Sequence, residues 1–287
     1  MFYIILSALF LSFYSVLYKL THRWGSSSLA VYTSMFTGGA ILSLVYTVVI
    51  SPRIFPPKVI ALAILAGLSF FIAVVAFFEV SRRGRLSISW TVIALAIVIP
   101  TSVSVLLWDE QPSSRQILGM MGVGVTFLLF GLDRGAKDPE GATMTSSISE
   151  DIFWVLMLAL SFFTTGLVMV CNKALVQYSL DPYLAEYIFL YFSTAAISAL
   201  ILSLLRRSLP DPRGMKIGFA MSVGGFLAVI FMIQALRVAP GMVVFPIRSI
   251  LNICFTVVLS FLLWRERVRL MGWLGLFTAG LSIFLMR

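Results

Sequence analysis

Ten apolar runs, most of them about 20 residues long, alternate with polar links along this chain. They lie near 2–20, 28–50, 58–80, 86–107, 115–132, 151–176, 183–205, 215–236, 241–263 and 269–286. Each run is continuous, and a helix needs about 20 such residues to cross a bilayer, whereas barrel strands are about 10 residues long and alternate. Inside a bilayer the backbone finds no water, and a helix pairs its own N–H and C=O groups. Most links are short, such as Ser81–Arg85 and Arg237–Pro240, which makes sequential helices antiparallel neighbours. Pro52, Pro56, Pro57, Pro182, Pro210 and Pro212 mark helix ends, where a missing N–H costs little. The longer link, Asp133–Asp151, is polar and carries Gly135, Pro139, Gly141 and a Thr/Ser run, so it reads as a flexible tether. The expected organisation is a five-helix repeat over 1–132, a tether over 133–150 and a second five-helix repeat over 151–287. An odd number of spans per half makes the second half enter the membrane upside down, an inverted repeat.

Composition settles the class. Hydrophobic residues are 60% and charged residues 11% of the chain, with a mean hydropathy of +1.02. A soluble domain carries about a quarter charged residues. The chain is therefore all-α and integral to a membrane, with ten transmembrane helices in two inverted five-helix repeats. Cys171 and Cys254 lie in separate apolar runs and read as small buried hydrophobes, not a disulfide or metal pair. The net charge of +9 bears on topology, and no nucleic-acid partner is expected. Links after the odd-numbered spans hold 14 Lys and Arg, from Lys19 to Arg269, against six on the other side. The positive-inside rule puts the richer side in the cytoplasm and both termini outside. The first run is not a typical signal peptide, because Lys19 and Arg23 follow it instead of preceding it.

The halves also repeat in sequence. Ser104, Leu106, Leu107, Trp108 and Glu110 recur 156 residues later as Ser260, Leu262, Leu263, Trp264 and Glu266. Leu118, Gly119 and Gly124 recur as Leu274, Gly275 and Gly280, giving eight matches in one ungapped window. Each half thus ends in a helix, a Trp-x-Glu turn and a Gly-bearing helix. With Pro100, Gln116 and the spaced glycines, this pattern resembles the drug/metabolite transporter superfamily, EamA type. The second copy departs from it, with Thr256 in place of the proline and Gly272 in place of the Gln. The resemblance implies a ten-helix transporter of the plasma (inner) membrane. Family members usually keep both termini in the cytoplasm, opposite to the charge count here.

Arg248 stands alone among the basic residues, well inside span nine and flanked by Pro246, Ser249 and Asn252. An arginine at that depth costs about 2.5 kcal/mol or more unless paired or hydrated. Two readings remain open: an ion pair with another helix, through Glu186, or a guanidinium facing a cavity, where its fork suits a carboxylate or phosphate. Asn252 and Gln234 are amides in apolar helices, and Trp90 aligns with Pro246 across the repeat. Arg248, Asn252, Gln234 and Trp90 are the candidate substrate-binding residues. Gate or coupling candidates are Lys19 and Lys173, at equivalent ends of spans one and six, with Glu110, Glu266 and Glu186. Each has a plainer reading: snorkelling for the lysines, interfacial anchoring for the carboxylates. Glu79 has Arg82 and Arg83 at i+3 and i+4 for a surface ion pair.

No Asp-rich metal motif, His pair or nucleotide-binding glycine loop is present, so neither an enzyme nor a cofactor is expected. An inverted repeat suits a secondary transporter whose two halves exchange conformations. The expected partners are a small-molecule substrate (an amino acid, organic anion or similar), membrane lipids and a coupling proton or ion; oligomeric state is left open. Translocation of a lipid or lipid-linked head group is the alternative, and a non-transporting interaction protein is the third.

Overall fold

The computed structural model describes residues 1–50, 54–81, 92–135, 148–206, 211–264 and 270–286. Trp90, Glu266, Arg82, Arg83 and residues 136–147 of the expected tether lie outside them. Among the described residues every regular element is helical. We number the helices α1 (Phe2–Arg23), α2 (Ser28–Ile50), α3 (Pro57–Ser81), α4 (Val98–Leu106), α5 (Ser114–Gly135), α6 (Ile148–Gln177), α7 (Leu184–Leu205), α8 (Pro212–Val238), α9 (Gly241–Trp264) and α10 (Leu270–Met286). A 3-10 turn, Leu95–Ile97, leads into α4. The ten helices match the ten apolar runs in order. Seven are long and apolar enough to cross a membrane, and Val92–Leu106, Ser114–Leu129 and Leu270–Met286 are shorter apolar helices.

The first compact unit comprises Met1–Phe71 and Leu167–Ala239, and the second Ile72–Gly166 and Pro240–Arg287. Each draws on both halves of the sequence, and α3 and α6 contribute to both units. In the first unit α2 packs on α7 and α8, and α1 packs on α8. Its core joins Ala63, Ala66, Cys171, Leu175, Tyr187, Ile188, Tyr191 and Phe192. Phe70 stacks on Tyr191 with ring centroids 5.2 Å apart. A Cβ at Gly39 would strike the ring of Phe192, and Thr47 Oγ1 donates to the Ala185 carbonyl at 2.9 Å. As α2 advances its contacts on α7 recede, so these repeat-equivalent helices run antiparallel.

The second unit repeats that relation. α5 packs on α10, with Gly122 against Ser282 and Thr126 Oγ1 bonded to Thr278 Oγ1 at 3.0 Å. These two helices are also repeat equivalents and also antiparallel. In the other contacts of this unit α4 packs on α9, and Ile99 of α4 fills the space that Gly166 leaves on α6. Small residues at these interfaces fit a membrane fold, where close approach replaces the hydrophobic effect as the force between helices.

The repeat is visible in backbone hydrogen bonds as well. α1 ends with Trp24 N–H bonded to Leu20 O and Ser26 N–H to Thr21 O. α6 ends with Tyr178 N–H bonded to Ala174 O and Leu180 N–H to Leu175 O. The two sets are offset by 154 residues, the offset that relates Lys19 to Lys173. The left-handed residue of each motif is Gly25 (φ 59°) in the first copy and Ser179 (φ 54°) in the second.

Glycine is required where another backbone closes in. A Cβ at Gly218 on α8 would collide with the carbonyl oxygen of Val31 on α2, and that backbone has no side-chain freedom to yield. A Cβ at Gly124 on α5 meets nothing within 4 Å. Gly218→Ala is expected to destabilise the protein by about 1–3 kcal/mol, the usual cost of overpacking. Gly124→Ala is expected to be neutral or stabilising by up to about 1 kcal/mol, from helix propensity. Thermal melting of the two purified variants checks both, and equal melting points would contradict this packing.

Candidate functional site

The candidate site lies in the second unit, on α4 and α9. Both helices are largely apolar, and four of their polar side chains stand out. Arg248 of α9 is 5% exposed. Asn252 lies four residues on, one turn along the same face. Its Oδ1 is buried without a hydrogen bond. Thr101 and Ser104 of α4 lie three residues apart, again on one helix face, and their hydroxyl oxygens are likewise buried without a hydrogen bond. Pro246 lies inside α9, and with no N–H it leaves the Met242 carbonyl without its helical donor. Chemically, the two helices offer a guanidinium and two hydroxyl donors for anionic oxygens, and an amide oxygen for an N–H group.

Glu110 has a defined place. α4 ends at Leu106, and three residues on the left-handed Asp109 (φ 52°) lies in a turn where Glu110 N–H bonds Ser104 O at 3.1 Å. The Glu110 carboxylate then reaches the start of α9. Oε1 accepts from Gly241 N–H and Oε2 from Met242 N–H, both at 2.9 Å. Val243 and Val244 N–H bond to Pro240 O at 3.0 and 3.1 Å. Val244 makes the first regular helical bond and Pro240 has no N–H, so the three donors left open at this start are all satisfied, two of them by Glu110. Gln116 forms a capping box at the start of α5, its Oε1 accepting from Ser113 N–H at 2.9 Å and its own N–H bonding Ser113 Oγ at 3.3 Å.

The first unit holds a second polar layer. Tyr187 OH donates to Asn172 Oδ1 at 2.8 Å, joining α7 to α6. Asn172 is 1% exposed, and its Nδ2 has no hydrogen bond. Lys173 follows Asn172 and Glu186 precedes Tyr187, so on this antiparallel hairpin the two charges sit at about the same height. Lys173 is 5% exposed and Glu186 is fully buried. The plainer sequence readings of both, a snorkelling lysine and an interfacial carboxylate, do not describe these positions: each side chain is enclosed by its own protein. Lys19 is half-buried. Gln234 sits near the end of α8, where its Oε1 accepts from Arg237 at 3.1 Å. Arg237 also pairs with Asp181 at 3.0 Å, so Gln234 belongs to a polar cluster at a helix end.

Sequence reasoning passes over Thr101, Asn172 and Tyr187, and takes Ser104 only as part of the repeat. Their signal was present as hydroxyls at i, i+3 in the proline-bearing helix and as an amide next to Lys173. Asp211 was also missed. It caps α8, with Oδ1 accepting from Gly214 N–H at 2.6 Å and Oδ2 from Ser27 N–H at 2.9 Å. The bond from Gly214, then that from Ser27, holds its carboxyl below the usual range. Among the described residues no group of three or more His, Cys, Asp or Glu side chains is placed to hold a metal.

These features define a class, a multi-pass helical membrane protein of two inverted repeats with polar groups buried on apolar helices. The model of the EamA-like transporter family matches residues 1–132 and 152–287, and the chain belongs to that family. It is a membrane transporter of the drug/metabolite transporter type. One solved protein crystal structure, among 28 solved chains that match, aligns with 98% of this chain and 94% of its own. The TM-score is 0.74 at 13% identity, a likeness of fold. No curated protein matches in sequence.

Asp211 yields a pH dependence. Its folded pKa lies below its unfolded value, so its contribution is present above the ordinary carboxylate pKa of about 3.9 and is lost as pH falls through the folded value. Asp211→Ala is expected to lose about 1 kcal/mol at neutral pH, the usual worth of a cap. The difference in melting temperature between wild type and variant should shrink as pH falls below about 4. A difference independent of pH would show that the charge plays no part.

Proposed function

We propose that the chain carries a small polar metabolite with an anionic group, such as an amino acid or organic anion, across the plasma (inner) membrane by alternating access. Arg248 is the residue proposed to hold the anionic group, with Asn252, Thr101 and Ser104 around it. The observation that carries this reading is the burial of Arg248 on α9, which packs on α4, together with three buried polar oxygens on the same two helices that have no hydrogen bond. A buried guanidinium in a membrane helix is costly, and buried polar atoms normally find partners. A solute with carboxylate and N–H groups supplies partners to the three oxygens, and its carboxylate suits the guanidinium fork. Family membership and the antiparallel pairing of repeat-equivalent helices support gradient-driven exchange between two conformations.

Lys173 and Glu186 are proposed as coupling groups, since ionisable residues enclosed in a membrane protein mark ion or proton paths. Gln234, engaged with Arg237, is not among the solute contacts in this reading.

The test is solute-dependent thermal stabilisation of purified protein across amino acids and carboxylates, with Arg248 variants. Wild type should be stabilised by at least one solute. Arg248→Ala should melt near wild type without solute but lose the solute-induced shift. Arg248→Lys keeps the charge and loses the planar fork, so part of the shift should remain. An undiminished shift in Arg248→Ala would remove the binding role. A collapse of the melting point without solute would make Arg248 structural.

A further inference from the structure

Glu110 does more than end a turn. It belongs to the link between α4 and α5, yet both of its carboxylate oxygens are spent on a helix that begins 131 residues later. Nearer donors exist, because α5 follows within a few residues, but Ser113 and Gln116 cap that helix by themselves. α9 has no capping side chain of its own at its start: Pro240, Gly241 and Met242 offer none. Glu110 is therefore a cap supplied from elsewhere in the chain.

The segment it holds is set apart from the rest of α9. Pro246 removes one helical hydrogen bond behind the first turn and crowds the preceding one. The residues Gly241–Phe245 are joined to the helix ahead through this weakened point and to the α4–α5 turn through Glu110. Arg248 and Asn252 lie just past Pro246. Met242, Val243, Val244 and Phe245 are buried, so the first turn is closed to solvent as it stands.

We propose that Glu110 is a clasp that positions the first turn of α9, and that its release lets that turn bend at Pro246 and opens the way to Arg248 and Asn252. This rests on the transporter reading for its purpose, though not for its test. Release needs no broken covalent bond and no cofactor: two N–H donors leave the carboxylate and turn to water or solute as the end opens. The charge matters, because a carboxylate at a helix start is favoured by the exposed N–H groups and by the helix dipole. Glu110 is a positioning residue, acting on Arg248 through α9.

The experiment measures local opening without any solute. Cys171 and Cys254 are replaced by Ser, and a reporter thiol is placed at Val244→Cys, a position with no exposure in the first turn of α9. A second protein carries the thiol at Ala279→Cys on α10, 1% exposed, as the reference for general loosening. Maleimide modification rates of the full-length protein in detergent are compared with Glu110, Glu110→Gln and Glu110→Ala. The clasp predicts that Glu110→Ala speeds modification at 244 by about tenfold, the scale of losing a charged cap. Glu110→Gln, which keeps one acceptor and loses the charge, should fall between. The rate at 279 should stay the same. An unchanged rate at 244 overturns the clasp, and so does an equal rise at both positions, since a merely structural role would loosen α10 as well. Should the Cys-to-Ser background fail to fold, hydrogen exchange of the amides of Met242–Phe245 in otherwise native protein gives the same comparison. Absence of solute transport would leave these rates unaffected, so failure of the clasp and failure of the transport reading are told apart.

Discussion

A chain this apolar must satisfy its backbone from within, and every other feature of the structure follows from how it does so. Inside each helix the hydrogen bonds are automatic, so the problem moves to the ends, where four N–H and four C=O groups stay open. The protein answers with a small set of devices. Left-handed residues at Gly25 and Ser179 fold the last turn of α1 and α6 back on itself. Asp211 closes the start of α8 and takes Ser27 N–H as well. Glu110 closes the start of α9 from the α4–α5 turn. Two of the few carboxylates, Asp211 and Glu110, are thus placed where donors would otherwise be stranded.

Between helices, the lack of a hydrophobic force makes close approach the source of stability. Gly39, Gly122 and Gly218 admit a neighbouring ring, hydroxyl or backbone. Threonines reinforce the same seams, Thr47 across α2 and α7 and Thr126 across α5 and α10. Both seams join equivalent helices of the two repeats in antiparallel fashion, which is what two oppositely inserted copies of one unit require. Against this tight apolar packing, Arg248, Asn252, Thr101 and Ser104 in one unit and Asn172, Lys173, Glu186 and Tyr187 in the other stand out as polar groups on apolar helices.

The fold was largely legible in the sequence. Helical spans of about 20 apolar residues leave few alternatives, and the 156-residue offset that carries Ser104–Gly124 onto Ser260–Gly280 announced two copies of one unit. Arg248 was legible too, because a lone arginine deep in a span is costly and conspicuous. The rest of the site was less so, for a physical reason. Thr101 and Ser104 resemble the many helical hydroxyls that bond their own backbone, as Thr164 and Ser198 do here. Only the tertiary structure shows which of them go without a partner. Lys173 and Glu186 looked like residues at span ends, where a lysine reaches for head groups; their enclosure depends on neighbours distant in sequence. Glu110 was marked by the repeat, but its partners lie 131 and 132 residues away, and no local pattern points to them. Gln234 reads as an amide in an apolar helix, and only the structure shows that its Oε1 accepts from Arg237 near the helix end.

The central claim is that the polar groups on α4 and α9 bind a solute that the protein then moves across the membrane. Its most direct test is counterflow in liposomes containing the purified protein and preloaded with a candidate amino acid or organic anion. The account predicts that labelled solute accumulates against the preloaded pool, and that it does not in liposomes made with Arg248→Ala. Movement of labelled lipid between leaflets with no solute counterflow, or no movement of either, would contradict it.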